Sequence, residues 1–118
     1  MRNVSVSFET LKGKVLKEIK SNYDEIDFVT VDGETYSMYH TQDCCESVSV
    51  ESIVGELDDL IGSEILMAEE SSESDSEASE SGTWTFYKLA TIKGYVDIRW
   101  YGSSNGYYSE SVDLYKIM

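Results

Sequence analysis

The chain has no proline, two cysteines, one histidine and only nine basic residues among its 118. Each scarcity excludes something. Without proline, strand edges lose one common means of being blunted, so they must be charged, covered or paired with another subunit. The two cysteines are neighbours, Cys44 and Cys45, too close for an ordinary bridge between distant segments. They are expected as free thiols in a reducing cytosol. Nine basic residues against 23 acidic ones leave a formal net charge of −14. That argues against duplex nucleic acid as a partner, because such binding neutralises phosphates with Lys and Arg. No apolar run reaches the ~20 residues of a membrane span, and Met1 to Ser7 holds no apolar core of a secretory leader.

Catalytic signatures are also missing. There is no Gly-rich phosphate loop, no GxSxG elbow, no HExxH and no paired H-x-T/S motif. A non-enzyme without cofactor or metal is expected. The segment His40-Thr41-Gln42-Asp43-Cys44-Cys45-Glu46 gathers the only His, both Cys and two carboxylates. Adjacent cysteines do not readily face one metal, and no second ligand pair exists elsewhere. A Cys–His nucleophile would need an orienting third group and an oxyanion site, and neither is identifiable. A turn with packed cysteines, or a ligand-contacting loop, remains.

What is present is a single domain over residues 1–118, with 41% hydrophobic and 12% aromatic residues. Phe8 and Leu11, at i, i+3, mark a short helical piece. Val15–Lys20 alternates weakly. Glu25–Val31 and Thr35–His40 read as a hairpin around Asp32-Gly33. Glu46–Val50 alternates, and then Ile53, Val54, Leu57, Leu60 and Ile61 fall at helical spacing before Gly62. This pattern predicts one main helix over about residues 52–60. Glu64–Ala68 is strand-like. Residues 69–82 are Ser- and acid-rich with almost nothing apolar, and predict a disordered surface loop. Thr83–Thr91, Tyr95–Tyr101 and Tyr107–Ile117 alternate around turns at Lys93-Gly94 and Asn105-Gly106, predicting a three-stranded meander. The expected class is α+β, mainly antiparallel sheet. Both faces of the meander are aromatic-rich, so one should meet a ligand or another subunit.

Three blocks are distinctive: Tyr36–Val48 (YSMYHTQDCCESV), Gly55–Gly62 (GELDDLIG), and Trp84–Gly94 (WTFYKLATIKG) with Ile98–Glu110 (IRWYGSSNGYYSE). They resemble small phage and prophage proteins of the first family of Thoeris anti-defence proteins, the phage sponges. The resemblance covers most of the chain outside the acidic segment. It implies a protein of the host bacterial cytoplasm that sequesters a cyclic ADP-ribose isomer intact. Cyclic oligonucleotides are a further implied ligand class, and a homo-oligomer, dimer or hexamer, is implied as the working form. Carried onto the matched blocks, His40, Gln42, Asp43, Phe86, Arg99, Trp100, Asn105 and Tyr107 become ligand-binding candidates. Phe86, Trp100 or Tyr107 would stack adenine. Arg99 would fork onto pyrophosphate. The remaining four would meet ribose hydroxyls or base edges. The alternative is a protein–protein inhibitor of a host defence factor that uses the acidic surface. A third reading, an enzyme degrading the same signal through His40 and Cys44 or Cys45, would reveal itself by new products.

Overall fold

In the computed structural model, which describes residues 3–117, the chain folds into two antiparallel sheets. Met1 and Arg2, part of the stretch read for a leader, lie outside the described residues. The strands are β1 (Asn3–Val6), β2 (Leu16–Ser21), β3 (Glu25–Thr30), β4 (Thr35–Tyr39), β5 (Ser47–Val54), β6 (Met67–Ser74), β7 (Ser81–Thr91), β8 (Gly94–Ser104) and β9 (Asp113–Ile117). One sheet has the order β1-β9-β4-β3-β2, the other β5-β8-β7-β6. Among the described residues two short 3₁₀ turns interrupt them, Phe8–Leu11 and Leu57–Leu60. Among the described residues no helix is long and apolar enough to cross a membrane.

The inward rows of both sheets and the two 3₁₀ turns share one core. Ile26, Phe28, Tyr36, Met38 and Leu114 come from the five-stranded sheet; Tyr87, Leu89, Val96, Ile98 and Trp100 come from the other; Phe8, Leu11 and Leu60 come from the turns. Period-2 alternation places them there: in β7 and β8 every second residue is buried. Gly33, at φ 92°, closes the β3–β4 hairpin read from Asp32-Gly33.

Four expectations are corrected. The main helix over 52–60 is absent. Strand β5 runs on to Val54, Gly55 turns the chain at φ 107°, and only Leu57–Leu60 coils. Gly55 lies so close to β8 that a Cβ would collide with the Tyr95 carbonyl oxygen. The helical spacing of Ile53, Leu57 and Leu60 thus arises from the end of a strand joined to a three-residue-per-turn coil. The class is therefore nearly all-β rather than α+β. Secondly, residues 69–82 are not a disordered loop. Residues 67–74 pair one for one with 90–83 of β7, and the backbone ladder satisfies amides that composition alone leaves without partners. Thirdly, the meander is β6-β7-β8. After Asn105-Gly106 the chain crosses to the other sheet, where β9 pairs with β4 and β1. Finally, Cys44 and Cys45 are joined in a disulfide instead of standing free.

Candidate functional site

The outward rows of β7 and β8 build an aromatic face on the four-stranded sheet. Trp84 stands opposite Tyr101 and Phe86 opposite Arg99 in the ladder. The Trp84 and Tyr101 rings meet at 4.6 Å with a 57° tilt. Trp84 and Phe86, two residues apart on one strand, lie 6.5 Å apart and within 15° of parallel. β6 adds an acidic margin, with Glu73 opposite Trp84 and Ser71 opposite Phe86. The β6–β7 tip folds back over this margin. The Tyr101 hydroxyl donates to Asp75 Oδ2 at 2.7 Å, and the Glu77 amide donates to Asp75 Oδ1 at 3.0 Å. The hydrogen bond to Asp75 pushes the Tyr101 phenol upward.

These elements enclose a cleft of about 310 Å³ between Trp84, Phe86 and Arg99 on one side and Glu73, Asp75 and Glu77 on the other. Among the described residues neither Arg99 nor these three carboxylates takes part in an ion pair. The cleft offers ring faces for stacking, one guanidinium fork and an excess of carboxylate. It holds no nucleophile with an adjacent base.

Of the eight residues expected to bind ligand, Phe86 and Arg99 meet in this cleft, and the other six do not join them. His40, Gln42 and Asp43 serve a buried carboxylate instead. Glu46 sits with its side chain fully enclosed and His40 with 4% exposed. Glu46 Oε2 pairs with His40 Nε2 at 2.8 Å and accepts the Asp43 amide at 2.9 Å. Glu46 Oε1 accepts the Cys44 amide at 2.9 Å and Gln42 Nε2 at 3.2 Å. Burial alone would raise this carboxyl. The Cys44 amide, the His40 imidazole and the Asp43 amide outweigh it and hold the group down at about 2. The other ring nitrogen of His40, Nδ1, lies 2.7 Å from the Ser111 carbonyl oxygen. Both ring nitrogens therefore face oxygen atoms. The YHTQDCCE string encodes a clamp between the two chain crossings from sheet to sheet, 40–46 and 105–112.

Trp100 is fully buried in the core and presents no stacking face. Asn105 shapes its own turn, its side-chain oxygen accepting the Tyr107 amide at 2.9 Å. It also borders a second hollow of about 430 Å³, beside Cys45, Glu80 and Tyr101. Tyr107 is 85% exposed, and its ring and that of Tyr108 meet edge to face. Sequence reasoning missed Glu73, Asp75 and Glu77 as wall residues and did not include Trp84 or Tyr101 among the ligand contacts. Among the described residues no group of three or more His, Cys, Asp or Glu side chains is arranged to hold a metal ion.

No curated protein and no solved structure matches the chain. A family model described as a domain of unknown function, DUF7448, matches residues 9–114. That match takes in β2 to β8, the Glu46 clamp and the whole aromatic cleft, and the chain belongs to this family.

Proposed function

We propose that the chain acts by capture rather than turnover, and that it captures a basic surface of a host protein on the outer face of its four-stranded sheet. One observation carries this reading. Strand β6 and the tip that follows it put Glu73, Asp75 and Glu77 in the same cleft as Trp84, Phe86 and Arg99, and among the described residues none of the three acids takes part in an ion pair. Carboxylates beside half-buried aromatic rings suit Lys and Arg, since the acids take the charge and the ring faces add cation–π attraction. A net charge of −14 steers such a partner from a distance. The protein would inhibit a host defence factor in the bacterial cytoplasm by presenting the charge pattern of a nucleic acid. The test is titration with hexa-arginine and hexa-lysine peptides at two salt concentrations, followed by affinity capture from host lysate. Salt-dependent binding that weakens about tenfold in Trp84→Ala and in the double variant Glu73→Gln/Glu77→Gln is expected. Binding that ignores these variants would sink the reading.

A second reading rests on the ladder placing Phe86 directly opposite Arg99. Stacking and a guanidinium fork are what a sponge for cyclic ADP-ribose isomers or cyclic oligonucleotides needs, and Glu73 or Asp75 would accept ribose hydroxyls. A homo-oligomer, dimer or hexamer, belongs to this reading. The three wall carboxylates weigh against it, because they repel an anionic ligand. Calorimetry with these signals, then chromatography of the recovered ligand, decides. Tight binding of unchanged ligand, lost in Arg99→Ala, would favour the sponge; no heat with any of them would remove it.

A further inference from the structure

The opposite side of β6 and β7 bears a separate cleft of about 320 Å³, between their inward rows and the 108–112 segment. Glu70 and Ser72 of β6 and Thr83 and Thr85 of β7 form one side, and residues 108–112 form the other. Seven of its ten lining residues carry a hydroxyl and two carry a carboxylate; none is basic.

Part of this lining is fixed. Glu110, 9% exposed, accepts the Thr83 hydroxyl at 2.8 Å and the Ser104 hydroxyl on its other oxygen. Burial works against its charge, but these donors and Ser81 hold the carboxyl below its usual range. At the bottom the Tyr87 hydroxyl donates to the Val112 carbonyl oxygen at 3.0 Å. The rest of the lining is uncommitted. In the hydrogen bonds among the described residues the hydroxyls of Ser72, Thr85 and Tyr108 take no part, and Glu70 receives only a 3.4 Å approach from Tyr87.

We propose that this cleft binds a neutral sugar of monosaccharide size. Two carboxylates without a counter-cation exclude phosphates and other anions. An apolar guest would leave the hydroxyls of Ser72, Thr85 and Tyr108 without partners, which costs binding energy for each one buried. The vicinal hydroxyls of a sugar both donate and accept. They would give hydrogens to Glu70 and take them from Thr85 and Ser72, while the Tyr108 ring covers a C–H face. The volume stands at the lower end of small-ligand sites, which admits one ring rather than a chain.

The experiment is protein-observed NMR of the full chain titrated with D-ribose, D-glucose and N-acetylglucosamine. Cyclohexanol and inorganic phosphate serve as controls. Saturable shifts at residues 83–85 and 108–112 are expected with at least one sugar and with neither control. Thr85→Val, which keeps the shape and removes the hydroxyl, and Glu70→Gln, at an exposed position, should each weaken binding about fivefold or more. Trp84→Ala, on the other face of the sheet, should leave it unchanged. No saturable shift with any sugar overturns the proposal, and so does binding indifferent to both Thr85→Val and Glu70→Gln.

Discussion

The two sheets treat charge in opposite ways. On the five-stranded sheet, Glu34 is gripped by Lys14 at 2.8 Å and by Lys116 at 3.0 Å. The hydrogen bonds from these lysines hold its carboxyl down at about 2. On the four-stranded sheet, Glu69, Glu70 and Glu73 have no ion-pair partner among the described residues, although Lys88 stands opposite Glu69 in the ladder. Compensated carboxylates are part of how this chain holds itself together. Of the uncompensated ones, Glu73 lies beside Trp84 on the aromatic face, and Glu70 lies on the other side of the sheet.

The comparison can be broken from either side. The largest effect is expected at the core. Trp100→Ala should cost about 3–5 kcal/mol in urea melts, the usual range for emptying a buried aromatic site, and Trp84→Ala about 1 kcal/mol or less. Equal costs would mean that the two faces of β7 and β8 are not the inside and outside described above.

Next comes acid. Glu46 has a folded value of about 2, below its ordinary 4.5. Its contribution to stability is therefore complete above about pH 4.5 and is lost as pH falls through about 2. Urea melts from pH 7 down to 2 should show that fall. Glu46→Gln should be less stable at pH 7 and show a shallower acid slope, with Glu34 and Glu110 supplying the remainder. An unchanged slope would show that the buried carboxylate is not ionised.

The smallest effect sharpens the contrast. Glu73→Gln with Glu77→Gln should shift stability by no more than about 0.5 kcal/mol, in the stabilising direction, because like charges are relieved and no bond is lost. A clear loss would move these acids from the available group to the structural one.

Much of the sheet pattern was legible. Alternation located β7 and β8, and Asp32-Gly33 located the β3–β4 hairpin, because both signals are local. What was hidden depends on distant partners. β6 is a strand because β7 lies beside it, and nothing in Glu-Ser-Ser-Glu-Ser says so. Gly55 ends β5 because Tyr95 crowds it, a contact 40 residues away in sequence. The site was half legible for the same reason. Phe86 and Arg99 are register neighbours in one hairpin, whereas His40, Gln42 and Asp43 looked like ligand contacts because the burial of Glu46 cannot be seen in a string. Trp100 and Phe86 look alike as aromatic residues on adjacent strands, and only the parity of the alternation separates core from surface.

The clamp on Glu46 also bears on the order in which the molecule assembles. His40 finds the Ser111 carbonyl across 71 positions of chain, and that meeting requires both crossings between the sheets to be in place. Such a long loop closes at high entropic cost before it is rewarded. The β4–β9 ladder, which pairs Tyr39 with Asp113, closes that same loop, so the clamp adds its bonds where the two crossings have already met. Bonds added to a framework that has already paired act mainly on the unfolding rate, and Glu46→Gln is expected to speed unfolding while leaving refolding nearly unchanged in stopped-flow measurements.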